Sequence, residues 1–406
     1  MSNGAGDIAP ARWRILWLLA LAELLGMSLW FAASAVAPQY QQQWELTAGE
    51  TAWLTTAVQL GFVLGTALSA LLNLADLVPA RRLFATSAAG AALANLLVLT
   101  ADSLAETLPW RVLTGLCLAG VYPPAMKMIA TWFRARRGFA VGAIVGALTV
   151  GKALPYLVKA LPGATIGNVT VAASGAALVA AGLVWLGYSE GPYAFPARPF
   201  SWRLVGEVVG QRPWRLAMGG YLGHMWELYA AWTWLPVFVA ASVAAQHGHH
   251  EAANAQASVV AFAALAVGGL GCLWGGAVAD RRGRAWLVNL SMAMSGACAL
   301  LIGLTFGRSL WLLAPVALVW GFFVIADSAQ FSVMVTESVP AHAVGTALTL
   351  QTSLGFLLTA AAIQLVPALV AIVGWSWAFP VLALGPAVGM ESIRRLAANS
   401  ASRTDH

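Results

Sequence analysis

Six ionisable residues, Glu23, Arg111, Lys127, Lys152, Glu227 and Asp327, stand inside stretches of sequence that are otherwise apolar. A lone charge in hydrocarbon is expensive, so each needs a partner, a polar path or a task. Glu23 follows Trp13 by ten residues, about 15 Å along a helix, and Glu227 follows Trp214 by thirteen, about 20 Å. Both depths fall near the middle of a bilayer. Desolvation disfavours a carboxylate and a nearby cation favours it. A glutamate beside a cavity that alternately dries and fills can therefore take up and release a proton. The competing reading is a glutamate locked to a donor that fixes helix packing.

Lys152, fifteen residues past Arg137, lies about 22 Å into its helix and can hold an anionic substrate as a point charge. Lys127 and Asp327 are 200 positions apart, at similar depth and of opposite sign, which fits a gate that pairs in one state and parts in the other. Two independent charges, each satisfied locally, fit equally well. Arg111 can snorkel to the outer surface. Trp30, Tyr122, Tyr229, Trp232 and Trp234 offer aromatic faces to a planar solute, and Gln59, Gln330 and Gln351 offer hydrogen bonds; core packing is the plainer role for most of them.

Other chemistry finds little support. Cys117, Cys272 and Cys298 lie in apolar segments without CxxC spacing, so neither a disulfide framework nor a zinc site is expected. The turn His247 to Glu251 has metal-binding residue types but no spacing fixed by a helix face, and no metal or cofactor is assigned to it. Gly187 to Gly191 matches G-x-S-x-G, yet no strand precedes it, and the motif is read as chance. The chain also lacks a phosphate loop, and no enzyme is expected.

The elements that must position these residues are membrane helices. The chain is 60% hydrophobic and only 9% charged, with mean hydropathy +0.76; an ordinary soluble domain is roughly 25% charged. The net charge of +6 is explained by basic loops rather than by nucleic-acid binding. The sequence predicts twelve spans near 13–37, 51–74, 83–100, 108–133, 138–158, 169–188, 216–241, 258–278, 286–304, 310–335, 344–372 and 375–390. The apolar run after Arg14 continues for a full span, so the first helix is read as its own insertion signal and not a cleavable leader. Seventeen of the 22 basic residues fall in alternate connections on one side, which predicts cytoplasmic termini.

The stretch Arg111 to Pro155 organises the rest. Two spans flank the basic turn Arg134, Arg136, Arg137 and carry Arg111, Lys127 and Lys152 beside Gly115, Gly120, Gly142, Gly146 and Gly151. Small residues let helices approach and charges seek a polar interior, so this pair is expected to wall a solvated path. The halves repeat: Trp13 meets Trp214, Asp76 meets Asp280 and Gly142 meets Gly345, at offsets of 201, 204 and 203. Six spans per half imply an axis along the membrane normal. The expected units are 1–188, a connecting loop 189–212 and 213–406. In the loop, Phe200, Leu204 and Val208 are spaced as in a short surface helix under a Ser201 cap.

These features resemble the major facilitator superfamily. Gly276, Asp280, Arg281, Gly283 and Arg284 match its G-x-x-x-D-R-x-G-R loop; Asp280 is suited to accept from a neighbouring helix N-terminus and so latch that face. The first-half loop keeps Asp76 but has Leu77 and Pro79 where the family shows a basic residue and glycine. Arg111 with Gly115 is similar to the family's R-x-x-x-G pattern, whereas the G-P dipeptide typical of drug antiporters is missing after Gly151. The resemblance implies an all-α fold of twelve transmembrane helices in two parallel six-helix bundles, with spans 1, 4, 7 and 10 lining a central cavity and Arg111 tuning a proton-binding carboxylate. It extends in general look to bacterial nitrate-type and organic-anion porters. The expected function is proton-coupled symport of a small anionic solute by a monomer in a bacterial inner membrane, with proton-coupled efflux of drugs or metabolites as the alternative.

Overall fold

The computed structural model describes residues 4–134, 136–193, 200–247 and 251–404. Every regular element among them is helical. The N-terminal bundle comprises α1 (Gly4–Gly26), α2 (Ala48–Leu71), α3 (Ala80–Leu97), α4 in two pieces (Leu104–Leu118 and Tyr122–Ala130), α5 (Arg137–Lys159) and α6 (Ile166–Gly187). The C-terminal bundle comprises α7 (Arg212–His247), α8 (Glu251–Arg282), α9 (Arg284–Leu301), α10 in two pieces (Leu310–Ala326 and Ser328–Glu337), α11 (Val344–Val373) and α12 (Leu384–Thr404). Ten of these spans are long and apolar enough to cross a membrane by themselves. The other two, α1 and α12, have no equally long apolar stretch among the described residues and adjoin short helical pieces, Met27–Leu29 with Ala32–Ala35 after α1 and Trp375–Ala378 with Phe379–Ala383 before α12.

Local sequence sets the starts of several helices. Thr47 and Glu50 form a reciprocal capping box at the head of α2, with Thr47 N donating to Glu50 Oε2 at 2.8 Å and Glu50 N donating to Thr47 Oγ1 at 3.2 Å. Thr165 accepts from Asn168 N at 3.2 Å to start α6.

Glycine decides how closely helices approach where no hydrophobic force from water acts between them. A Cβ on Gly61 of α2 would run into the Val112 carbonyl of α4, and one on Gly115 would run into the Val58 carbonyl of α2. The two backbones therefore touch. Across the bundle boundary, Gly146 of α5 faces Gly269 of α8 less tightly, a Cβ on either standing 3.0 or 3.1 Å from the other's carbonyl oxygen.

The expected linker helix is present at Trp202–Gly210, with Val208 fully buried. Its start differs from expectation. The Ser201 side chain makes no cap; instead Ser201 N donates to Thr346 Oγ1 of α11 at 3.0 Å, which ties the linker to the C-terminal bundle. Residues 194–199 of the loop, and 248–250 of the histidine-rich turn, lie outside the described residues.

Candidate functional site

A cavity of 110 Å³ lies where the bundles meet, about midway along the helices. Trp30 and Met27 reach it from the break after α1, Phe62 from α2, Tyr122 and Met126 from α4, and Lys152 from α5. The other bundle contributes Tyr221, Tyr229 and Trp232 from α7, Ser328 and Ser332 from α10, and Gln351 and Phe356 from α11. A larger cleft of 610 Å³ on the face that carries the termini is a surface feature, crossed by the Arg284–Glu337 ion pair at 2.7 Å.

Lys152 is the centre of the cavity wall. It is only 2% exposed, and its Nζ donates to the Tyr229 hydroxyl at 2.6 Å. The same nitrogen lies 4.0 Å from the Trp30 ring centroid, 4.7 Å from that of Tyr229 and 5.2 Å from that of Trp232. Such rings attract a cation through their quadrupoles. No carboxylate forms an ion pair with it among the described residues. Around it, Trp30 Nε1, Trp232 Nε1 and Gln351 Oε1 are buried without hydrogen-bond partners. The two indole nitrogens are unused donors and the amide oxygen an unused acceptor, so the wall around the buried ammonium offers polar groups to a solute.

Glu23, fully buried in α1, interacts electrostatically with Lys152, and neither of its oxygens has a hydrogen-bond partner. Their approach depends on Gly151, where a Cβ would collide with the Leu24 carbonyl of α1. Glu227 is in a different situation. Ser295 Oγ donates to its Oε2 at 2.8 Å and Trp320 Nε1 to its Oε1 at 2.7 Å, so it is held inside the C-terminal bundle and does not line the cavity.

Arg111 neither reaches the surface nor pairs with Glu23. It is fully buried, and its Nε donates to Leu54 O at 3.1 Å, its Nη2 to Trp30 O at 2.8 Å, and its Nη1 to Leu29 O at 3.3 Å and Asn95 Oδ1 at 3.1 Å. Leu29 and Trp30 sit where α1 has unwound, so their carbonyls lack helical partners. The guanidinium satisfies them and thereby fixes Trp30, whose ring lies against Lys152. Asn95 is anchored in turn by Ser174 Oγ, 3.0 Å from its Nδ2.

Of the remaining candidates, Tyr122, Tyr229, Trp232 and Gln351 lie on the cavity wall. Trp234 instead donates to Ile363 O at 2.8 Å, and Gln59 and Gln330 are buried away from the wall. Asp327 is set against His224, with Nδ1 3.0 Å from Oδ1, and Lys127 is half-buried in the last turn of α4. Asp280 lies beside Gly138 in the first turn of α5, across the bundle boundary, where an N-terminal helix dipole favours an anion. Arg281 is exposed and Arg284 pairs with Glu337. The Asp76 side chain lies outside the described residues. Among the described residues no cluster of histidine, cysteine or acidic side chains has metal-site geometry. Sequence reasoning missed Phe62, Tyr221 and Phe356 on the wall, and also Asn95, whose only signal was an amide in an apolar span.

The sequence profile of the Major Facilitator Superfamily matches residues 17–364. The chain belongs to that family. The superfamily fold is shared with solved transporters: a point mutant of the nucleoside transporter NupG superposes with a TM-score of 0.72 at 14% identity, covering 94% of this chain and 99% of that one. A bacterial homolog of the human lysosomal transporter Spinster, inward-facing and unoccupied, gives 0.66 at 16% identity, covering 96% and 94%. Such identities carry the superfamily architecture and nothing about the solute. No curated protein matches the chain in sequence.

Proposed function

We propose that this member of the superfamily carries a small anionic solute by alternating access, coupled to protons, with Lys152 as the anion-binding group and Glu23 as the proton carrier. One observation carries the reading. A buried ammonium on the wall of the cavity between the bundles has, among the described residues, a neutral hydroxyl as its one hydrogen-bond acceptor. An entering anion supplies the missing charge and can also accept from the unpaired indole N–H groups of Trp30 and Trp232.

Coupling follows from sharing. Lys152 is the cation that acts on Glu23, so a solute anion that claims the ammonium leaves a buried carboxylate without compensation unless it binds a proton. Anion and proton then travel together as a symport. The cavity, at 110 Å³, is smaller than the roughly 150 Å³ that admits benzene, which supports a small solute. The basic residues gathered on the face of the termini support a cytoplasmic location for that face in a bacterial inner membrane.

A second reading rests on the three rings around Lys152. They would suit an amphipathic cation if the lysine turned onto Glu23, and the protein would then be an exporter. Thermal unfolding of the purified protein with panels of small anions, neutral solutes and organic cations separates the two. A ligand at a hundredfold its dissociation constant adds about 2.7 kcal/mol. Stabilisation by anions, followed by uptake into proteoliposomes driven by an imposed pH gradient, is the expected result. Stabilisation by cations alone would overturn it.

A further inference from the structure

We propose that the end of α8 and the start of α9, on the face that carries the termini, bind one anionic phospholipid, with its phosphate held by Arg281 and Arg282 and an acyl chain laid along Val278 and Trp274. The site lies outside the cavity between the bundles, and it stands whatever the solute is.

A groove of 270 Å³ is lined by Trp274, Val278, Arg281 and Arg282 of α8 and by Trp286 of α9. The α8 residues stand at i, i+4, i+7 and i+8, so they share one face of the helix. Leu270, one turn before Trp274, continues that face and is 62% exposed. Trp274 precedes Arg282 by eight residues, about 12 Å along the axis. The face is therefore apolar at hydrocarbon depth and doubly cationic at its end. A lipid has the same polarity, chain within and phosphate at the surface.

Cations in the last turn of α8 also answer its dipole, but that role needs neither a tryptophan nor a groove. Trp274 is backed by Phe322 and Phe323 of α10, with ring centroids 5.4 and 5.7 Å away, which gives the apolar part a firm aromatic floor. Trp286 is 40% exposed, and the Arg282 guanidinium lies over its ring at 4.8 Å, so the cation is preset at the rim. Among the described residues neither Arg281 nor Arg282 takes part in an ion pair. Arg281 belongs to the G-x-x-x-D-R-x-G-R loop, but Arg282 fills its variable position and both tryptophans fall outside it. The groove is thus a property of this chain and not of the loop pattern.

Charge selects the occupant. Guanidinium groups pair with phosphate oxygens through parallel N–H donors. A phosphodiester without a headgroup amine keeps its full negative charge, whereas the choline of a zwitterionic lipid would stand against two guanidinium groups. The two acids beside the site are engaged elsewhere: Asp280 lies next to Gly138 across the bundle boundary, and Glu337 pairs with Arg284 at 2.7 Å. Arg282 and Trp286 also line the 610 Å³ cleft, where Gln211 and Ser338 offer hydrogen bonds to a hydroxylated headgroup. Phosphatidylglycerol combines one negative phosphodiester with such hydroxyls.

The test titrates the whole protein in detergent micelles with phosphatidylglycerol, phosphatidylcholine or glycerol 3-phosphate and counts bound molecules by native mass spectrometry. Phosphatidylglycerol is expected to bind roughly tenfold more tightly than phosphatidylcholine, and Arg282→Gln should lower that preference about fivefold, the effect of one cation near a membrane surface. Trp286→Leu should lower it as well. Arg394→Gln, which removes an exposed cation of α12 outside the groove, should leave it unchanged. Equal affinity for the two lipids, or a preference that survives in both groove variants, would overturn the proposal. Glycerol 3-phosphate bound as tightly as the lipid would assign the arginines to a free phosphate and overturn it too. Should a variant fold poorly, phosphatidylglycerol with a diazirine in its acyl chain decides in the wild type. Cross-links that excess unlabelled phosphatidylglycerol suppresses should fall on α8 between Leu270 and Val278; cross-links that avoid this segment would remove the site.

Discussion

Lys152 Nζ, from α5 of one bundle, lies 2.6 Å from the hydroxyl oxygen of Tyr229, from α7 of the other. This single hydrogen bond crosses the boundary between the bundles at the wall of the cavity, and it must break whenever they separate there. Tyr229→Phe removes the acceptor and leaves a buried ammonium with aromatic faces alone. A loss of about 1–3 kcal/mol of stability is expected. Thermal unfolding of the purified variant measures it, and an unchanged midpoint would mean that the bond contributes nothing to the closed state.

Lys152→Ala should weaken binding of the transported anion by roughly 2–4 kcal/mol, because a charge-assisted contact is lost in a poorly hydrated site. Lys152→Arg should recover part of this only, since a planar fork replaces a compact ammonium among three rings. Calorimetric titration of both variants with whichever anion stabilises the wild type checks the order. Equal affinities in all three proteins would remove Lys152 from the binding site.

The two buried glutamates make opposite expectations. Glu23→Gln should abolish accumulation driven by a pH gradient while sparing exchange of solute, because a neutral amide imitates the protonated acid and cannot release a proton. Glu227→Gln should keep gradient-driven accumulation and lose stability, since Glu227 serves Ser295 and Trp320 inside its own bundle. Uptake into proteoliposomes with and without a gradient distinguishes them. Intact accumulation in the Glu23 variant would end its role as carrier.

Arg111 and Asn95 form one network with the unwound end of α1. Arg111→Lys, Asn95→Ala and the double variant should show a coupling energy of about 0.5–3 kcal/mol in unfolding, because an ammonium cannot span the carbonyls that the guanidinium joins. Strict additivity would show that the two residues act separately.

The spans were legible because a run of apolar residues about 30 Å long has few other uses, and the depths of Glu23 and Lys152 follow from counting along a helix. Which helix faces meet was not legible. Phe62, Tyr221 and Phe356 sit on the cavity wall in helices apolar on nearly every side, so no periodicity separates that wall from lipid-facing surface. The break after Gly26 was hidden for another reason. No proline marks it, and what sustains it is a guanidinium more than 80 residues away in sequence. Spacing likewise set Asp327 against Lys127, while the carboxylate stands beside His224, a residue that counting had placed level with Glu23 without assigning it a partner.

The facing glycines Gly146 and Gly269 behave as a dry bearing. Backbone lies against backbone there, with the Val150 side chain beside Gly269, so little bulk stands between the two helices at that point. The same smoothness fixes where the transporter can tolerate change. A methyl group on either of these two residues would press on the opposite helix at about 3 Å, grit in the bearing on which one bundle has to move past the other.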